Sequence, residues 1–217
     1  MPIKLTLTNP LLQKEDCYDR YCNKIVEIFE TGENEILVAS PILEEYLREK
    51  FPGYKYNRSI IASKNDEDFE QLLNKYNMIV LPRRKVKDFN YLNSISLENR
   101  SRVEILCTDP CSIECPRLYS HYEDYAKATL YEIGGTDECL KCSGFNPNEV
   151  VLKHFEYIQD QISYQEIIEN YEPLGFTEFK ISGRSHKVID PLFSLIPYLV
   201  KPAYQLEIIR YILNLIS

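Results

Sequence analysis

Nothing in this 217-residue chain approaches the ~18 consecutive apolar residues that a membrane-crossing helix needs. The N-terminus also lacks the basic-then-apolar layout of a signal peptide. The expectation is a soluble, cytoplasmic protein with no membrane partner. Basic charge is short as well. There are 33 acidic against 25 basic side chains, a net charge of −8, whereas proteins that grip nucleic acid through phosphates are usually basic. The cluster Arg83-Arg84-Lys85 with Lys87 is the one local exception and reads as a solvated loop and helix start. Glycine is scarce, with only 7 residues, so turns must come from Asn, Asp and the 12 prolines. No Ser-His-Asp, Cys-His or His-Glu-x-x-His arrangement is visible, which argues against proteolysis. Internal repeats and low-complexity linkers are missing too. One domain spanning residues 1–217 is expected.

What is present points to a well-packed core: 44% hydrophobic residues, with 17 tyrosines and 9 phenylalanines. Strand and helix patterns alternate along the chain. Strands are predicted at Lys4–Thr8, Glu35–Ala39, Tyr56–Ala62, Met78–Leu81, Arg102–Leu106 and Phe176–Ser182. A helix is predicted from Asp16 to Glu30, with Tyr21, Ile25, Ile28 and Phe29 on its inner face. Further helices are expected after Ser40-Pro41, from Asp66 to Tyr76, from Lys87 to Ser94, after Ser163, and from Asp190-Pro191 to the end. Ser163 and Glu166 have capping-box spacing, and Gly175 should break the helix that they open. This order predicts an α/β fold with a parallel sheet, of the barrel or doubly wound type.

The chemistry gathers between Cys107 and Cys142, where five of the seven cysteines fall within 36 residues. The first three follow a predicted strand, at the end where α/β folds assemble their sites. In a reducing compartment clustered thiols more often bind metal than pair. Cys111 with Cys115 and Cys139 with Cys142 supply four thiolates that one ion or cluster could gather. Tetrahedral zinc and an iron–sulfur cluster both suit four sulfurs, and the spacing alone leaves these two and no metal open. Cys107 could replace one of the four. Cys17 and Cys22 lie on a helical pattern and read as packing residues. His121 could be a ligand or proton donor, or a hydrogen-bonded structural residue. Lys180 lies inside a predicted strand, where a charge is costly unless paired or facing a site. Arg184 follows at that strand's end with donors suited to a carboxylate or phosphate. Asn9, at the end of the first strand, could face the same rim. Lys180, Arg184, Asn9 and His121 are therefore the candidate substrate-binding residues.

The string Ile162-Ser163-Tyr164-Gln165-Glu166-Ile167, followed by Gly175-Phe176-Thr177-Glu178-Phe179-Lys180-Ile181-Ser182-Gly183-Arg184, resembles a late motif of the collagenase-like peptidase family. There a Ser-initiated helix leads into a strand ending Leu-Lys-Ile-Glu-Gly-Arg. The resemblance spans roughly residues 3 to 201. It implies a TIM-barrel-like (β/α) fold and an iron–sulfur cluster, of the 4Fe-4S type, held by Cys111, Cys115, Cys139 and Cys142. It also implies hydroxylation of an RNA base or a quinone-like molecule despite the peptidase name. The six predicted strands make the chain a shortened relative with an incomplete barrel. A redox partner, or an oligomer completing the barrel, is then expected. The alternative is a non-catalytic binding module stapled by zinc or a cluster.

Overall fold

A computed structural model describes residues 2–62, 69–108, 117–131, 161–181 and 195–216. Six strands form one sheet: β1 (Lys4–Leu7), β2 (Glu35–Val38), β3 (Lys55–Arg58), β4 (Met78–Val80), β5 (Val103–Leu106) and β6 (Glu178–Lys180). They lie side by side in chain order, and every neighbouring pair is parallel. A doubly wound sheet reverses its strand order at a switch point. This one never reverses, so successive crossovers step in one direction, helices collect on one face, and the twisted sheet curls into a half-barrel.

The alternation of side chains along each strand separates two faces. Ile36, Val38, Tyr56, Ile79, Leu81, Val103 and Ile105 turn outward into the main core. There they meet Val26 of α1 (Arg20–Ile28), Leu43 and Leu47 of α2 (Pro41–Lys50), Phe69 and Leu73 of α3 (Phe69–Lys75), and Leu92 of α4 (Phe89–Ser94). The concave face has a much smaller cluster, Leu37, Ile60 and Val80, with Ile61 and Tyr122 against it. The rest of that face is largely polar.

The helix starts follow their local signals. Ser40 Oγ accepts the Leu43 amide at 3.3 Å with Pro41 at the first position. The capping box also forms. Ser163 Oγ accepts from the Glu166 amide at 3.1 Å, and Glu166 Oε2 accepts from the Ser163 amide at 2.8 Å. It opens α6 (Tyr164–Glu166), which continues as a π-helical turn, Ile167–Tyr171. Gly175, at φ +91°, closes this region in the left-handed conformation before β6.

Several expectations need correcting. The helix expected from Asp16 to Glu30 is two pieces, a 3₁₀ turn at Glu15–Tyr18 and then α1. The break is at Asp19, whose side chain accepts the Cys22 amide at 2.7 Å, so the chain restarts there rather than running through. Of the expected inner face, Phe29 packs against the core. Val26 packs inward, while Tyr21, Ile25 and Ile28 are 79%, 50% and 61% exposed. Cys17 is buried as expected, but Cys22 is exposed. The third strand stops at Arg58, and Ile60–Ala62 is a 3₁₀ turn. The Cys107–Cys142 stretch is not all loop, because α5 (Leu118–Tyr131) runs through its middle. The C-terminal helix, α7, spans Pro202–Ile216. Among the described residues no helix is long and apolar enough to cross a membrane.

Candidate functional site

Because all six strands are parallel, their C-terminal ends share one edge, and α5 lies across it. Tyr122 packs on Leu37, Ile60 and Val80, which belong to β2, the turn after β3, and β4. One helical turn further on, Asn9 just past β1 donates from Nδ2 to the carbonyl of Ala126 at 3.0 Å. The Asn9 Oδ1 accepts the Leu11 amide at 2.9 Å, which fixes the side chain from behind. So α5 leaves from the β5 side and reaches the β1 side, roofing the mouth of the half-barrel. His121 sits in its first turns and is 4% exposed.

Below this roof the concave face holds a charge network. The carboxylate of Glu104 on β5 receives Lys4 Nζ from β1 at 2.7 Å and Lys180 Nζ from β6 at 3.1 Å. Lys4 Nζ also lies 3.6 Å from Glu35 on β2, and Asn57 Nδ2 of β3 donates to Glu35 Oε2 at 2.6 Å. Four strands are thereby tied by charge, with two cations against two anions. Glu104 is the hub, at 7% exposure. Burial works to raise its carboxyl pKa, but Lys180 and Lys4 outweigh it and hold the group below the usual range. The Lys4 ammonium is raised despite desolvation, through the same pairing with Glu104 and Glu35. Lys180 thus points to the concave face and is paired, with 29% of its side chain accessible.

Cys107 takes a different place. It continues the outward set Val103 and Ile105 and is fully buried in the helix-facing core. Its amide donates to the Lys180 carbonyl at 2.8 Å, and its carbonyl accepts the Ile162 amide at 3.0 Å. Burial pushes its thiol pKa up to about 12, with the nearby Arg83 cation only partly opposing. In this structure Cys107 packs in the core as a buried thiol. Cys111, Cys115, Cys139, Cys142 and Arg184 lie outside the described residues. Among the described ones, no three His, Cys, Asp or Glu side chains form a group that could hold a metal.

Chain length is compatible with the four-cysteine set. Cys115 lies three residues before Leu118 and Cys139 eight beyond Tyr131, so the two pairs attach to opposite ends of α5. Its 14 residues span about 21 Å at ~1.5 Å each. Eight residues reach at most ~26–29 Å. With the three residues before Leu118 added, the reach is ~36–40 Å, so a single site for all four thiols is within reach.

Arg83 escaped the sequence reading. It was expected in a solvated loop, but it is 1% exposed and donates from Nη1 to the Leu106 carbonyl at 3.1 Å. The three-cation run hid it, since nothing in Arg83-Arg84-Lys85 says which member turns inward. Glu104 was missed for a similar reason: its partner Lys4 is 100 residues away. The alternation Val103-Glu104-Ile105 did mark it as lying opposite the core face. A second buried acid, Glu44 of α2, has Arg48 and Lys75 each at 2.9 Å and the Tyr76 hydroxyl at 2.6 Å. This network joins α2 to α3 and is structural.

Comparison with protein-family models, with curated proteins and with solved structures finds no match for this chain.

Proposed function

We propose that the chain is an iron–sulfur protein on a TIM-barrel-like scaffold, with Cys111, Cys115, Cys139 and Cys142 as cluster ligands. In this reading it resembles the collagenase-like peptidases and carries out redox or hydroxylation chemistry on an RNA base or quinone-like substrate, not proteolysis. The observation that supports it is the position of α5, which lies across the C-terminal edge of the half-barrel with one cysteine pair attached to each end. A cluster held there would supply electrons beside the concave face. Lys180 would meet an anionic group of a substrate from the concave face, where 29% of its side chain is accessible beside its partner Glu104. Arg184 keeps its role as a second cation from the sequence alone. Asn9 stands at the same rim, where its amide also donates to Ala126 and accepts from Leu11 and so positions α5.

Anaerobic purification tests this reading directly. Brown protein with visible absorbance, iron and acid-labile sulfide supports it. Colourless protein containing stoichiometric zinc instead selects the metal-stapled binding module, and metal-free protein removes both.

A further inference from the structure

The two lysines that meet on Glu104 are not equivalent. Glu104 turns Oε2 to Lys4 Nζ at 2.7 Å and Oε1 to Lys180 Nζ at 3.1 Å. Lys4 Nζ also has Glu35 Oε2 and the Met78 sulfur at 3.6 Å each, so its three N–H groups face three acceptors. Among the described residues Lys180 Nζ has Glu104 alone, and its side chain is partly accessible. Lys180 is the last residue of β6, toward the edge that α5 roofs. The concave face in front of it is open. Thr6 stands beside Leu37 on that face, one pleat above Lys4, and is exposed.

A nucleophile within hydrogen-bond reach of a base, with the base oriented by a third group, is the arrangement of covalent catalysis. Lys180, Glu104 and Lys4 stand in that relation. We infer that Lys180 is a carbonyl-condensing lysine that captures a small aldehyde on the concave face as an iminium, with Glu104 carrying the protons. The step balances. The Lys180 ammonium passes one proton to Glu104, and the freed amine adds to the carbonyl carbon. A second proton moves from that nitrogen to the carbonyl oxygen, giving a hydroxyl. Glu104 then returns its proton to the hydroxyl, the carbon–oxygen bond breaks, and water leaves. Nitrogen keeps one hydrogen and the positive charge, and Glu104 is a carboxylate again. No oxidant or reductant is consumed. Lys24 supplies the contrast, because its Nζ also lies 3.1 Å from a carboxylate, that of Glu27, but on the open surface with 63% of its side chain accessible. The inference rests on the concave-face network alone and is independent of any cluster.

Glyceraldehyde with sodium cyanoborohydride, followed by peptide mapping of the full chain by mass spectrometry, tests it. The reductant turns an iminium into a stable amine, whereas an aldehyde held without a bond leaves no mark. Lys180 should gain one reduced glyceraldehyde about a hundredfold faster than Lys24. Glu104→Gln protein that keeps the near-ultraviolet circular dichroism of the unmodified chain should bring the two rates within about tenfold. Lys180→Arg keeps a cation beside Glu104, and in it the fast phase should vanish without moving to Lys4. Lys180 labelled no faster than Lys24, folded Glu104→Gln protein labelled as fast as the unmodified chain, or a fast phase that survives in Lys180→Arg would each overturn the proposal.

Discussion

Replacing Glu104 by Gln keeps the shape of the hub and removes its charge. Two ammonium groups, Lys4 and Lys180, then share a neutral amide, and only Lys4 retains another acid, Glu35 at 3.6 Å. Breaking a fully buried ion pair costs about 3–5 kcal/mol. Both lysine side chains are 29% accessible and can turn partly toward water, so about 1.5–3 kcal/mol is the expected loss. For a chain of this size that lowers Tm by roughly 3–12 °C. The pH dependence separates charge from packing. The folded-state pKa of Glu104 lies below its ordinary 4.5, so its stabilisation is complete above that value and is lost as pH falls through the folded pKa. Urea unfolding at pH 7 and at a series of lower values should show the gap between Glu104→Gln and the unmodified chain closing in acid. An unchanged Tm, or a gap constant from pH 7 into the acid range, would refute the hub role.

Three further outcomes follow from single contacts. Cys107→Ser should cost about 1–2 kcal/mol, by placing a hydroxyl in the outward core, and should leave metal content unchanged; metal loss from folded variant protein would make Cys107 a ligand after all. Asn9→Ala should cost about 1–2 kcal/mol and speed amide exchange along α5 ahead of the sheet, and equal exchange rates would show that α5 is held by other contacts. Gly175→Ala should cost about 1–2 kcal/mol, because φ is +91° and the added Cβ would lie 3.2 Å from Leu97 Cδ1. Chemical denaturation reads it, and a neutral result would mean that the turn adapts.

The frame was legible because it rests on short-range signals. All six strands overlap their predicted positions, although the third is the polar Lys55–Arg58 and stops short of Ile60, and the Ser40 and Ser163 caps and the Gly175 stop form as their spacing requires. Strand order was less accessible, since a barrel and a doubly wound sheet share the same alternation and differ only in how the strands are placed. Lys180 was marked as a charge that needed a partner, but nothing local pointed to Glu104. α5 was missed although Leu118, Tyr122 and Ala126 keep a helical period, because the surrounding cysteines drew the whole stretch into one loop. The inner face of α1 was legible only in part. Phe29 packs against the core beside Val26 as expected, while Tyr21, Ile25 and Ile28 stay exposed.

The central claim is that one cluster is held by cysteines at both ends of α5. Iron and acid-labile sulfide, measured on anaerobic Cys115→Ser and Cys139→Ser proteins beside the unmodified chain, test it most directly. The account predicts about four of each per unmodified chain and loss of most of both in either variant, although the two positions sit at opposite ends of a ~21 Å helix. Full iron in folded Cys139→Ser protein, or zinc in place of iron throughout, would contradict it.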